Sequence, residues 1–432
     1  MLRLPAALQV NDPCIERNVA QLTGLSKLRS LCIMAPGALG FDHANEGQPV
    51  QFPGQLVRLT ELHLPLFLLR DVSSVGDCAS LCHLQLRAPE PYQLLPGIWK
   101  ARHWDALARL THLTHLHVDI QVNFIHEDRG LYGVLRQLPG LRAVGAYWWP
   151  PSALPVLQSL TQVTAVYGGW NVPGEVDRAV CPYVRHLGQT WFSVPFQAFP
   201  NLTSLDFSWV FAEHLLSLSR HCTGLQRLVL SPTPEGPCAM LCRGCSSTEG
   251  MLAMKSLANL QHLTHLELAP RTDAELTAFL SAAAAVSTLQ LRYLSIRGPH
   301  SVFALMQLLT LRGLQEVSVH LTSSKVDFPV EGVDALLVGL AAVSKVSLRL
   351  CSEGQLARAS AVQRLAQIGL PLPAVLDISM LPCDGDGNDH GTVIDLADAD
   401  SDGGDSDSDG GDSDSDGGDS DSDGDLDGGG NA

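Results

Sequence analysis

The sequence predicts an α/β solenoid, a curved parallel sheet with helical or irregular segments behind it, followed by a disordered acidic tail. Three observations carry that expectation. The register LTHLTHLHVDI at 110 to 120 recurs down most of the chain as LxxLxxLxL, for example at 22 to 33, 56 to 64, 199 to 207 and 257 to 268. In LxL the two apolar residues point the same way from a short strand, and the preceding LxxLxx packs behind it. One such unit cannot bury its own apolar side, so neighbours must stack. The second observation is composition: 45% of 432 residues are hydrophobic, enough for a large core, while no apolar run approaches the roughly 18 residues of a membrane span. The third is charge. Residues 384 to 427 hold 18 Asp and no Lys or Arg, so they account for the net charge of -17 and leave the rest of the chain at +1.

In chain order, residues 1–20 read as an N-terminal cap, 21–380 as the solenoid and 381–432 as the tail. The start, MLRLPAALQVNDPC, is broken too soon by Asn11, Asp12 and Pro13 to be a secretory signal. A cytoplasmic protein is expected, with the nucleus and the axonemal cytoskeleton as alternatives. Taking the first residue of each LxL as anchor gives Leu31, Leu62, Leu84, Leu116, Val144, Val166, Leu187, Leu205, Leu228, Leu266, Leu294, Val317, Val346 and Leu376. The mean step is about 26.5 residues, inside the roughly 20 to 29 of known repeats. Individual gaps run from 18 to 38 residues.

These units resemble the leucine-rich repeat family, which implies binding rather than chemistry. The Asn that usually follows the strand in that family is absent from almost every copy. Cys78, Cys181 and Cys222 stand where cysteine-containing leucine-rich repeats carry a buried Cys, as in F-box proteins, and are expected as small core residues in a reducing compartment. Only about 20 residues precede the first repeat, too few for a three-helix F-box. A non-catalytic protein-interaction scaffold is therefore expected, with a ubiquitin-ligase substrate adaptor and an axonemal or cytoskeletal structural protein as alternatives.

The tail repeats GDSDSDG at 404 to 410, 411 to 417 and 418 to 424. Without aromatic residues, nothing there offsets the entropy of ordering. Ser401, Ser406, Ser408, Ser413, Ser415, Ser420 and Ser422, each followed by Asp, resemble substrates of acidophilic kinases of the casein kinase type. Just before it, Val393, Ile394, Asp395 and Leu396, with Asp398, Asp400 and Asp402 behind them, resemble a SUMO-interaction motif. An extended β-branched segment of that kind adds a strand to a sheet edge while its acids meet a basic rim. The same four residues also suit the last piece of the solenoid's cap.

No metal, cofactor or catalytic site is expected. Asp384, Asp386, Asn388 and Asp395 fall at calcium-loop positions 1, 3, 5 and 12, but Asp389 replaces the Gly of the sharp turn. Cys238, Cys242 and Cys245 spell CxxxCxxC in the long gap between Leu228 and Leu266, without the barrel alternation of radical-SAM enzymes. A zinc site there with His221 or Cys222 as fourth ligand is the alternative. His115 and His117 flank Leu116 on one strand and His112 lies in the turn before it, so the leucine register already explains the three. Ser, His and Asp are scattered without a nucleophile elbow or phosphate loop.

The register also predicts the ligand face. Residues on either side of each anchor line the concave sheet: Glu61 and His63, His83 and Gln85, His115 and His117, Ser204 and Asp206, His265 and Glu267, Tyr293 and Ser295, Glu316 and Ser318, Lys345 and Ser347. A broad polar wall suits a protein partner better than a small molecule. The repeat body carries no basic stripe of the kind that phosphate backbones require, which argues against nucleic acid. Finally, Trp148, Trp170, Trp191 and Trp209 each lie four residues after their anchors. They are expected as one indole ladder at the sheet edge, either packed internally or, extended by Tyr147 and Trp149, anchoring a partner.

Overall fold

The computed structural model describes residues 7–10, 27–33, 56–65, 75–87, 104–118, 129–171, 179–190, 192–208, 211–231, 247–321, 330–351 and 375–381. All lie in the first of two compact units, Met1–Cys383; the second is Asp384–Ala432. The tail motif Val393 to Leu396, the calcium-like run, Cys238, Cys242, Cys245, Trp191 and Trp209 fall outside the described residues.

The strands are β1 (Ala7–Val10), β2 (Ser30–Ile33), β3 (Glu61–Pro65), β4 (His83–Arg87), β5 (His115–Val118), β6 (Ala143–Trp149), β7 (Ala165–Asn171), β8 (His186–Thr190), β9 (Phe192–Ser193), β10 (Ser204–Ser208), β11 (Arg227–Ser231), β12 (His265–Leu268), β13 (Tyr293–Arg297), β14 (Glu316–His320), β15 (Lys345–Cys351) and β16 (Val375–Leu381). They form a single sheet in sequence order, with only β9 off the path, paired to β7. Each pairing is parallel, as a solenoid that advances one repeat per turn requires. The return segments carry α1 (Arg129–Gln137), α2 (Ala153–Ser159), α3 (Ala212–His221), α4 (Ser247–Ser256), α5 (Asp273–Ala285), α6 (Val302–Met306), α7 (Val330–Gly339) and short 3-10 turns.

The anchors pair with one another down the stack, from Leu31 with Leu62 and Leu62 with Leu84 to Val317 with Val346 and Val346 with Leu376. β1 adds a strand ahead of them, pairing Leu8 with Leu31 inside the stretch expected as a cap. Four apolar columns result, six and three residues before the anchor, at the anchor, and two after it. Around β5 these are Leu110, Leu113, Leu116 and Val118, each at most 2% exposed. The first two close a turn, since the Leu113 N–H donates to the Leu110 carbonyl at 2.9 Å, as Leu59 does to Leu56 and Leu263 to Leu260. Burial of each such side chain contributes about 1.5–3 kcal/mol.

Cys78, Cys181 and Cys222 occupy the first of these columns and are buried. Their thiols are small enough to sit against backbone: Cys181 Sγ lies 3.6 Å from the Leu154 carbonyl and Cys222 Sγ 3.7 Å from that of Phe199. Burial pushes the Cys78 thiol up to about 11 and those of Cys181 and Cys222 to about 12, so all three stay protonated and unreactive.

A second ladder runs along the turns into the strands. The carbonyl two residues before each anchor accepts two N–H groups from the next repeat, as Arg29 does from Thr60 and Glu61 at 2.8 and 3.0 Å. The pattern recurs from Thr60 to Arg292. Where that position is Thr, its hydroxyl donates to the same carbonyl: Thr60 to Arg29, Thr114 to Cys82, Thr164 to Arg142, Thr203 to Arg185 and Thr264 to Gln226, at 3.0–3.4 Å. This is the physical reason for the recurrent LT spacer before the strand.

α5 shows how a return helix starts. Thr272 is extended and its side chain accepts the Glu275 N–H at 3.2 Å, while Glu275 Oε2 accepts the Arg271 N–H at 2.8 Å. One of the helix's orphan donors, and the N–H just ahead of the cap, are thereby satisfied, and the buried Glu275 is held in place with Arg271 3.7 Å away.

Regularity fails between β6 and β10. The β6–β7 register shifts after Gly145, so that Trp149, not Trp148, pairs with Trp170. The carbonyl of Ala146 turns toward Gly168, whose φ is +115° and where an added Cβ would sit 1.6 Å from that oxygen. Only glycine tolerates both demands. The β8–β10 register shifts as well, with Gln189 at φ 50°.

Candidate protein-binding face

The face opposite the helices is lined by the predicted flanking residues. Glu61, His63, Gln85, His117, Ser204, Asp206, His265, Glu267, Tyr293, Glu316, Ser318 and Ser347 are half-buried, and His83, His115 and Lys345 are exposed. Ser295 departs from the pattern and is buried.

Strand stacking aligns these side chains into columns. His83 and His115 stack with ring centroids 4.3 Å apart, and His265 lies flat on Tyr293 at 3.9 Å and 7°. Beside the anchors, the His117 ring lies over Gly145 and the Tyr167 ring over Gly188; an added Cβ would come within 2.1 Å and 2.5 Å of them. The absent side chains at Gly145 and Gly188 let two rings lie across neighbouring strands.

Two electrostatic clusters result. In the first, His63 Nε2 is 2.9 Å from Glu61 Oε1. A hydrogen bond from Ser30, then His63, holds the Glu61 carboxyl low against the opposing effect of burial. Burial, with the neighbouring His83, depresses His115. The second cluster centres on Glu267, which lies 3.3 Å from His265, 3.8 Å from Arg227 and 3.9 Å from Arg297. Burial raises Asp206 against the pull of Arg227, with Glu267 adding to the rise. Burial and then Glu267 raise the Tyr293 phenol. Lys345 pairs with Glu316 alongside. Arg227, Arg297, Tyr167 and His186 belong to this face and were not among the residues expected. Arg227 and His186 precede their anchors and Tyr167 follows Val166, so the same register could have found them; Arg297 lies three residues past its anchor on a longer strand.

The first pair of the expected indole ladder, Trp148 and Trp170, does not form. Trp170 is 0% exposed, stacked on Trp149 at 6.0 Å and edge-on to Phe199 at 5.3 Å. Trp149 is buried too and donates its Nε1–H to the Tyr167 carbonyl at 2.7 Å. Trp148 is half-buried beside Tyr147 instead of on Trp170. The extra residue of the bulge rotates Trp148 out of the column and Trp149 into it.

The neutral sum of the body also hides a segregation that the linear sequence obscures. Thirteen turns lead into the strands from β2 to β15 other than β9, from 27–29 to 341–344. They hold Lys or Arg at seven positions and no Asp or Glu. A basic edge therefore exists, sparser than the stripe that a phosphate backbone requires.

Among the described residues, no group of three or more His, Cys, Asp or Glu is placed to hold a metal ion, and no helix is long and apolar enough to cross a membrane.

The stacked anchors, the turn ladder and the helix-backed parallel sheet make this an α/β leucine-rich repeat solenoid. No family model and no curated protein matches the chain. Among solved structures it is similar to TLR13 in its complex with ssRNA13, at 15% identity and TM-score 0.46 over 84% of this chain and 50% of that one. An internalin, InlF, of Listeria monocytogenes is 14% identical with TM-score 0.32, over 78% and 77% of the two chains. A leucine-rich repeat protein of Leptospira interrogans is 14% identical with TM-score 0.29, over 84% and 87%. The chain spans half the length of the TLR13 chain.

Proposed function

We propose that the protein is a non-catalytic interaction scaffold whose helix-free, concave face receives a folded protein. The observation that carries this is the pair of stacked ring columns, His83 on His115 and His265 on Tyr293, the second flanked by the Asp206, Arg227, Glu267 and Arg297 charges. Flat amphipathic rings ordered by the strands give contact area at low entropic cost, and fixed charges around them confer partner selectivity. Ring stacks of this kind present a surface, not a cavity.

The test is affinity purification with mass spectrometry of the full chain, comparing wild type with the Tyr293→Ala, Glu267→Lys double variant and with Arg220→Glu on α3. A partner retained by wild type and Arg220→Glu but lost from the double variant is expected. Identical partner sets for all three would reject the concave-face reading.

A second contact is proposed for Val393, Ile394, Asp395 and Leu396, on sequence resemblance alone: strand addition to the edge of SUMO. Ile394→Ala should abolish chemical-shift changes of labelled SUMO, and the absence of shifts with the intact chain would reject it. The adaptor and axonemal alternatives rest on resemblance, and nothing among the described residues favours either.

A further inference from the structure

We propose that the edge formed by the turns into the strands is a docking surface for an extended acidic polypeptide segment, separate from the concave face. Lys27, Arg29 and Arg58 stand at its start, Arg142 and Arg185 near its middle, and Arg292 and Arg312 toward its end. All seven are exposed. Among the described residues none of them is in an ion pair; Arg142 makes one long hydrogen bond, 3.4 Å to the Gln162 carbonyl. The strand carboxylates that directly follow these turns in sequence, Glu61 and Glu316, are already engaged by His63 and Lys345.

The edge is an ordered line because the turn ladder fixes it. The backbone two residues before each anchor is tied to the equivalent backbone of the next repeat, and Arg29, Arg142, Arg185 and Arg292 occupy that position. Their side chains therefore leave the solenoid from equivalent points. From β2 to β14 the path takes eleven strand steps, or about 50 Å at roughly 4.8 Å per step. The cations stand in the turns into β2, β3, β6, β8, β13 and β14, so the gaps between them run from one to four strand steps, about 5 to about 19 Å.

That spacing selects among polyanions. An extended polypeptide with acids at alternate residues presents same-side carboxylates about 7 Å apart, so an acid lies within reach of each cation whatever the gap between them. Duplex nucleic acid carries a charge per about 1.7 Å of axis, far denser than this edge could neutralise. Single-stranded nucleic acid wants aromatic platforms between the cations, and these turns hold one aromatic residue, Tyr183, in thirteen turns. Six of the seven cations are Arg, whose planar fork pairs bidentately with carboxylates.

The probe is a fluorescent peptide with the sequence of residues 404–424, in which Asp405, Asp407 and Asp409 show the required alternation. Its binding to the full chain is followed by anisotropy. We expect saturable binding that weakens at least about tenfold with an Asp→Asn peptide, with the Arg142→Glu, Arg185→Glu double variant, and between about 50 and about 300 mM salt. Arg220→Glu and the Tyr293→Ala, Glu267→Lys variant should bind as wild type, which separates this edge from the concave face. Should the reversal variant melt earlier than wild type, the Arg142→Gln, Arg185→Gln pair is read instead. Absence of binding, or equal binding by wild type and the edge variants, overturns the proposal. So does tighter binding of a single-stranded oligonucleotide of similar length, which would mark the edge as a nucleic-acid surface.

Discussion

Trp170 shows what a single ring does in a stacked fold. It lies wholly inside, between Trp149 and Phe199, and its Nε1–H has no hydrogen-bond partner among the described residues. Trp170→Ala should cost about 3–5 kcal/mol in urea unfolding. Trp170→Phe, which keeps most of the packing and removes the unpaired donor, should cost much less. Equal losses for both would mean that a smaller ring recovers none of the packing that the whole indole supplies. His214 on α3 gives a second residue-scale prediction. Packed against the Phe207 and Phe211 rings and accepting the Phe211 N–H at 3.4 Å, it is pushed down by burial to about 4 from 6.5. A histidine held neutral in the fold binds its proton more readily once unfolded. Its contribution is therefore complete above pH about 6.5 and is lost as pH falls toward about 4, by about 3 kcal/mol at most. His214→Phe should flatten that part of the stability profile relative to wild type; an unchanged slope would show that other groups set it.

At the scale of elements, the threonine ladder ties each turn that carries it to the turn of the preceding repeat. Thr114→Val removes the hydroxyl that donates to the Cys82 carbonyl at 3.0 Å, but that carbonyl keeps the N–H groups of Thr114 and His115. No buried acceptor is left bare, so the cost should be only about 1 kcal/mol. Thr264→Val, six strand steps away, should add to it independently in urea titrations; strong non-additivity would mean that the ladder acts as one cooperative device. The ladder explains why the strands were legible. Each anchor is fixed twice, by its buried apolar side chain and by the ladder two residues before it, so all thirteen anchor pairings follow from the LxL register. The β6–β7 bulge was not legible, because a two-residue period cannot count one extra residue. Its only trace is Gly168–Gly169, which looks the same as any flexible pair until the Ala146 carbonyl is seen against it. Of the face, the residues beside each leucine could be read. The stacking of His265 on Tyr293 could not, since those residues are 28 positions apart and meet only through register.

For the whole molecule, sequence order equals spatial order, so each repeat's partners are its immediate neighbours and stability is close to a sum of local interfaces. A lesion should therefore stay where it is made. Gly168 is the sharpest place to make one. A side chain there must accept a φ of +115° and displace the Ala146 carbonyl, which a Cβ would meet at 1.6 Å. Gly168→Val forces β6 and β7 apart, breaking the pairing that sets Trp149 on Trp170. Hydrogen exchange followed by mass spectrometry should then show lost protection in β6, β7 and β8, while β13 and β14, beyond three intervening strands, exchange as in wild type. Protection lost evenly across the sheet would mean that the repeats unfold as one cooperative unit, and the one-dimensional account of this solenoid would have to be abandoned.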